Sequence, residues 1–227
     1  MDSIGLPLRR TDIAHPEPSP FDYDDHALLY VPTPNSSLPR QGIYAAAAQT
    51  IENLVQLTEG RTLVLFTAKQ DMNAVYRLLK KSEGRLPCKL LLHTNQGGQD
   101  KEFIQDEHSV LFSTGLWEGL DVRGPSLSSL IIFKLPYPVP DPIYNYKVAM
   151  VGERDAVYVP EMLVRLRQGL GRLIRHETDR GLAVILDRRM PSQHLYKHRQ
   201  QILDAIPFKT ITESITDVEL FVRHKIL

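Results

Sequence analysis

The chain has one cysteine, Cys88, in 227 residues. That excludes an intrachain disulfide framework and any cysteine cluster for zinc or iron–sulfur. Long apolar runs are lacking too. The longest, such as Leu63–Phe66 and Leu130–Phe133, are far too short to span a bilayer, so no membrane partner is expected. Net charge is absent: 27 Lys and Arg balance 27 Asp and Glu. This argues against a broadly basic nucleic-acid coat, while leaving room for a local basic patch. The eight histidines show no metal-ligand spacing. Met1–Gly5 has no basic region leading into an apolar stretch, so no signal peptide is read and a cytoplasmic location is expected. What remains is ordinary for a globular protein, with 42% hydrophobic and 24% charged residues. The length suits one large domain, or one and a half.

Residues 1–40 differ from the rest. Met1–Tyr30 holds six acids against two bases, and prolines recur at 7, 16, 18, 20, 32, 34 and 39. This reads as an extended arm or a disordered tail, with Ala27–Val31 as a short strand. From Gln41 a regular alternation begins. Helices are expected at 41–58, 70–83, 99–105, 160–175 and 192–205. Strands are expected at 61–67, 89–92, 109–112, 130–133 and 183–186. Short apolar strands without polar alternation, separated by helices, predict an α/β fold with a mostly parallel sheet. Phe208–Leu227 reads as a tail. In such sheets ligands sit at the carboxyl ends of strands.

Three segments carry chemistry. The first is PEMLVRLRQGLGRLIR, residues 160–175. On a helical wheel with Leu163 at the origin, Leu166, Leu170 and Ile174 fall within about 60°. Gln168, Arg172, Arg175 and Arg165 take the opposite face. Gly169 and Gly171 lie between them, each costing about 1 kcal/mol against alanine in a helix interior. Close approach of another backbone or a ligand is the usual reason. Converging guanidinium groups suit phosphate oxygens; a solvated basic face is the other reading. The second is SVLFSTGLWEGLDVRGP, residues 109–125. Small hydroxyl and glycine residues after a strand leave backbone N–H groups for phosphate or nucleic acid, or the loop is held by its own Asp and Ser turns. The third is LVLFTAK, residues 63–69, where Thr67 either caps the next helix or touches a phosphate. LPYPVPDP, residues 135–142, reads as a rigid extended brace. Asp187 ends a strand, as a magnesium-binding Asp can, but no partner Glu follows.

QGLGRLIR (168–175) resembles motif VI, QxxGRxIR, of the DinG/XPD helicases of superfamily two. STGLWEGLDVRGPSL (113–127) resembles their motif V, and LVLFTAK their motif IV. KLLLHTNQGG (89–98) is similar to the segment that follows motif IV. SPFDYDDHALLYVP (19–32), KLPYPVPDP, TDRGLAVILDRR and YKHRQQILDAIPF are similar to the family's flanking stretches. The likeness covers residues 19–208, in order, and bacterial DinG-like proteins are the nearest group.

The resemblance implies a three-layer RecA-like lobe with a central, mostly parallel sheet: a P-loop NTPase-like fold without its own P-loop. It implies an N-terminal arm and interlobe linker at 1–40, the lobe at 41–208 and a tail at 209–227. Arg172 and Arg175 would face the ATP γ-phosphate, Arg175 as arginine finger, with Gln168 and Gly171 beside them. Glu118, Gly119 and Asp121 would couple the nucleotide cleft to DNA. Thr67, Thr94, Ser113 and Thr114 would lie near the single-stranded DNA backbone. Ala68 stands where a serine is common, and His198 where glycine is usual.

No Gly-Lys dipeptide occurs, so the P-loop GxxxxGK[ST] is absent. ATP and Mg2+ would therefore be shared with another lobe, in trans or in a longer parent protein, and no iron–sulfur cluster is expected in this chain. The isolated chain is expected to lack ATPase activity. The alternatives are a non-catalytic module binding single-stranded nucleic acid, and the product of a truncated helicase gene.

Overall fold

The computed structural model of the chain describes residues 26–33, 40–94, 97–117, 127–176 and 178–227. Its strands are β1 (Ala27–Tyr30), β2 (Thr62–Leu65), β3 (Lys89–Leu92), β4 (Ser109–Ser113), β5 (Ser129–Ile132), β6 (Gly181–Ile185) and β7 (Ile211–Thr212). They form one sheet in the order β3-β4-β2-β5-β6-β1-β7. Every pairing between them is parallel. The helices are α1 (Arg40–Thr58), α2 (Lys69–Lys80), α3 (Gln99–Gln105), α4 (Pro142–Val151), α5 (Arg154–Leu170), α6 (Arg199–Ala205) and α7 (Ile215–Phe221).

Alternation along each strand divides the core into two layers. Leu63, Leu65, Leu111, Leu130, Ile132, Ala183 and Ile185 face one way, onto Phe103 of α3, Met162, Leu166 and Leu170 of α5, and Ile202 of α6. Val64, Val110, Phe112, Ile131, Leu182 and Val184 face the other, onto Ile51, Leu54 and Val55 of α1 and Met72, Val75 and Leu79 of α2. Both faces of the strands are buried, which is why they read as unbroken apolar runs.

The sheet passes both boundaries expected from the sequence, 41 and 208. β1 lies between β6 and β7, with Leu29 paired to Ala183 on one side and Ile211 on the other. After β7, α7 and a terminal π-helical turn (Val222–Ile226) bury Val218 and Val222 in the second layer. The expected tail is thus part of the fold.

The helix expected at 192–205 begins only at Arg199. Two further expectations change. The helix expected at 160–175 runs instead from Arg154 to Leu170. Pro160 is its seventh residue, not a first-turn residue. Pro160 and Ala156, whose carbonyl loses its N–H partner, are both exposed, so that carbonyl is open to solvent. Second, LPYPVPDP does not simply brace. Asp141 caps α4 by accepting from Tyr144 N–H at 2.8 Å, Pro142 starts the helix, and Gly152 ends it at φ +82°. No described helix is long and apolar enough to cross a membrane.

Candidate functional site

The three motif segments meet around one side chain, Trp117. Its indole Nε1 donates to the Phe66 carbonyl, just past β2, at 2.9 Å. The six-membered ring lies against Gly169, near the end of α5. A Cβ there would fall 3.2 Å from Cε3 and 3.3 Å from Cζ3. Trp117 is itself only four residues past β4. The glycine that the sequence left unexplained is thus explained by an indole, in place of the backbone or ligand expected. Gly171 is the C-cap of α5 in an ordinary right-handed conformation, and a Cβ there would lie 3.1 Å from the Arg167 carbonyl oxygen.

Because α5 ends at Leu170, Arg172 and Arg175 do not continue the helical wheel. They lie in the connection to β6, and Arg172 is only 5% exposed, so it is not on a solvated basic face. Leu173 and Ile174, both in the first half of the connection, are buried in the core. Leu173 packs onto Gly181, the first residue of β6, so closely that a Cβ there would lie 2.3 Å from its Cγ. Asp179 closes the same turn: one of its oxygens accepts from the N–H groups of Arg175 at 2.8 Å and His176 at 2.9 Å. The arginine-bearing turn is held from both ends. Gln168 and Arg165 on α5 are exposed, and Arg167 Nε donates to the Ala205 carbonyl at the end of α6, at 2.8 Å.

The hydroxyl candidates sit at the opposite ends of the strands. Thr67 follows β2 and is exposed. It is not the helix cap: Ala68 occupies that position in α2 and supplies no side-chain bond. Thr94, after β3, is exposed, its N–H 3.4 Å from Gln99 Oε1. Thr114 is half-buried. Ser113 departs from the expected strand contact. It is buried, its Oγ accepts from Gly115 and Leu116 N–H at 3.1 Å each, and it contacts His93 Nδ1 at 3.1 Å. With both lone pairs taken, its hydrogen points to the imidazole, and Ser113 organises the loop. Glu118, Gly119 and Asp121 lie outside the described residues.

Further charged residues lie at the strand ends, and of these Lys134 and Arg189 were not singled out from the sequence. Lys134, after β5, pairs with buried Asp71 at 2.6 Å, and Asp71 also accepts from Tyr44 at 2.6 Å. Asp187, after β6, accepts from Leu135 N–H at 2.9 Å and from Arg189 Nε and Nη2 at 2.8 and 2.6 Å. Burial pushes the Asp187 carboxyl up, but the hydrogen bonds and charge of Arg189 outweigh it and hold the group below its ordinary range. Both oxygens are occupied, which removes the magnesium reading of Asp187. Among the described residues no three His, Cys, Asp or Glu side chains gather as a metal set. Arg189 in turn lies 4.8 Å from the Tyr137 ring centre and 5.5 Å from that of Tyr196, and the two tyrosine hydroxyls hydrogen-bond.

An all-parallel, seven-stranded sheet between two helical layers, with an arginine turn before β6 and hydroxyls at the carboxyl edge, is a RecA-like lobe. The helicase C-terminal domain family matches residues 51–215, and the chain belongs to it, in the DinG/XPD-type branch. It is 30% identical to the ATP-dependent DNA helicase YoaA of Haemophilus influenzae over 91% of this chain and 33% of that one. It is 31% identical to the 3'-5' exonuclease DinG of Bacillus subtilis over 89% of this chain and 23% of that protein. Among solved structures, an apo XPD superposes with a TM-score of 0.61 at 18% identity, over 85% of this chain and 40% of that one. The chain thus spans a quarter to a third of the curated relatives it matches.

Proposed function

We propose that the chain is the second motor lobe of an ATP-dependent DNA helicase, completing an ATP site whose phosphate cradle belongs to another lobe. Arg175 acts as the arginine finger on the γ-phosphate, with Arg172 beside it and Gln168 sensing the nucleotide. ATP, with its Mg2+, is brought by the P-loop lobe. Thr67, Thr94 and Thr114 line one side of a single-stranded DNA track at the carboxyl ends of β2, β3 and β4.

The observation that carries this reading is the brace at Trp117. One indole touches the end of β2, follows the end of β4 and supports α5 two residues before the arginine turn begins. Packed interiors transmit displacement because they have little free volume. A shift of the arginine turn toward a transferring phosphoryl group is therefore felt at the strand ends. Closing Arg175 onto the γ-phosphate would stabilise charge that develops only in transfer; such fingers are worth about 10³–10⁵ in rate. Leu173 against Gly181 and the Asp179 carboxylate fix the turn, so little order is lost when the finger engages.

The test is ATP turnover by the lobe joined to a P-loop-bearing partner. Arg175→Ala is expected to cut turnover by about 10³-fold or more while assembly and strand binding persist. Unchanged turnover in Arg175→Ala, with assembly intact, refutes the assignment.

A further inference from the structure

A cavity of about 410 Å³ opens beside Thr67, among residues that none of the motifs includes. Its walls come from three places: Lys134 and Tyr137 after β5, Arg154 and Tyr158 on the first turns of α5, and Tyr196 after β6. Its volume is within the range of about 300–1,000 Å³ usual for small-ligand sites. Aromatic rings make up much of the wall, and cations back them. The Arg154 guanidinium carbon lies 4.7 Å from the Tyr158 ring centre.

The charges in this cavity are unequal in what they have left to offer. Lys134 is committed to Asp71, and Arg189 to Asp187. Asp155 is held by Lys197 and by His198 Nε2, the latter at 3.1 Å. Arg154 has a ring behind it and no carboxylate partner among the described residues. It is also exposed and sits in the first turn of a helix, where the backbone dipole disfavours a cation. An exposed, aromatic-backed guanidinium in an unfavourable field offers a flat face for stacking and donors for a ring carbonyl.

We infer that this cavity takes one nucleobase of the single strand that Thr67 contacts, drawn out of the stack and laid on the Arg154–Tyr158 pair. The inference rests on the single-strand reading above and adds a base-holding site to what is otherwise a backbone track. A base held here acts as a peg: a strand gripped by base and phosphate slips less than one gripped by phosphate alone. Stacking is nearly indifferent to sequence, because every base has a π-face.

The experiment compares the 227-residue chain's affinity for oligothymidylate with its affinity for an abasic strand of equal length and charge. The native chain is expected to prefer the thymidylate strand by roughly five- to 150-fold, the range for stacking one base on a protein platform. Arg154→Ala and Arg154→Lys are both expected to abolish the preference; the lysine keeps the charge but not the plane. Tyr158→Leu, checked for folding by urea melt, is expected to do the same. Equal affinity of the native chain for both strands overturns the base site while leaving the backbone track standing. A preference that survives Arg154→Lys and Tyr158→Leu also overturns it. Binding of neither strand refutes the single-strand reading itself. Tight binding of free thymidine monophosphate, with strand affinity indifferent to bases, gives the cavity to a free nucleotide and overturns the inference.

Discussion

The brace at Trp117 predicts a specific failure of additivity. An alanine at 169 places its Cβ 3.2 Å from Trp117 Cε3 and 3.5 Å from Leu65 Cδ1. Alanine gains about 1 kcal/mol over glycine in a helix interior, and less near an end. Overpacking a tight contact costs about 1–3 kcal/mol, so Gly169→Ala alone is expected to destabilise by about 1 kcal/mol. Trp117→Phe removes the indole N–H from the Phe66 carbonyl and is expected to cost about 1–3 kcal/mol. It also removes the ring atoms that meet position 169. In that background the added methyl has room, and Gly169→Ala is expected to stabilise by about 0.5–1 kcal/mol. The two changes should therefore couple by about 1–2 kcal/mol. Urea unfolding of the four proteins measures this directly. Additivity within about 0.5 kcal/mol would mean that Gly169 is not there for the indole, and the mechanical link between the motifs would lose its footing.

Three further outcomes are expected. Asp187→Asn leaves the half-buried Arg189 without its anion and should cost about 1–3 kcal/mol at neutral pH by calorimetry or urea melt. Because the native carboxyl is held below its ordinary value, its contribution is complete above about pH 4 and is lost as pH falls through the native pKa. Asp187→Asn should therefore flatten that acid limb of a stability–pH curve. Ala68→Ser supplies the missing cap of α2 and should stabilise the chain by about 1 kcal/mol in urea melts. Gly181→Ala drives a methyl into Leu173 and should cost about 3 kcal/mol, while also lowering turnover in the assembled motor by displacing the arginine turn.

The sheet was legible because its strands are buried on both faces: LVLF, KLLL, SVLF and LAVI carry no polar alternation to confuse with a surface strand. β7 was not, since two residues paired only to β1 leave no periodic signal. α4 carried a full set of signals, Asp141 and Pro142 at its start and Gly152 at its end. They were hidden by reading the prolines as a continuous extended run. The start of α5 was misplaced because proline favours a first turn; an exposed face tolerates it further in.

The site divides in the same way. Arg172, Arg175 and the threonines follow from motif patterns. Their setting does not, because it is made by contacts between distant segments. Ser113 looks like a strand contact in sequence, yet the neighbours that occupy its oxygen, His93 and two backbone N–H groups, are visible only in three dimensions. Trp117 stood in plain view inside motif V, but nothing local says that it touches Phe66 and Gly169. The cavity at Arg154 joins α5 to residues from the connections after β2, β5 and β6, and has no linear signature at all.

A chain that holds the finger and not the phosphate cradle cannot turn over ATP alone. ATP turnover by the pure 227-residue chain, with and without single-stranded DNA, tests it most directly. No turnover above the uncatalysed background is expected in either case. Turnover by the isolated chain that Arg175→Ala abolishes would contradict it.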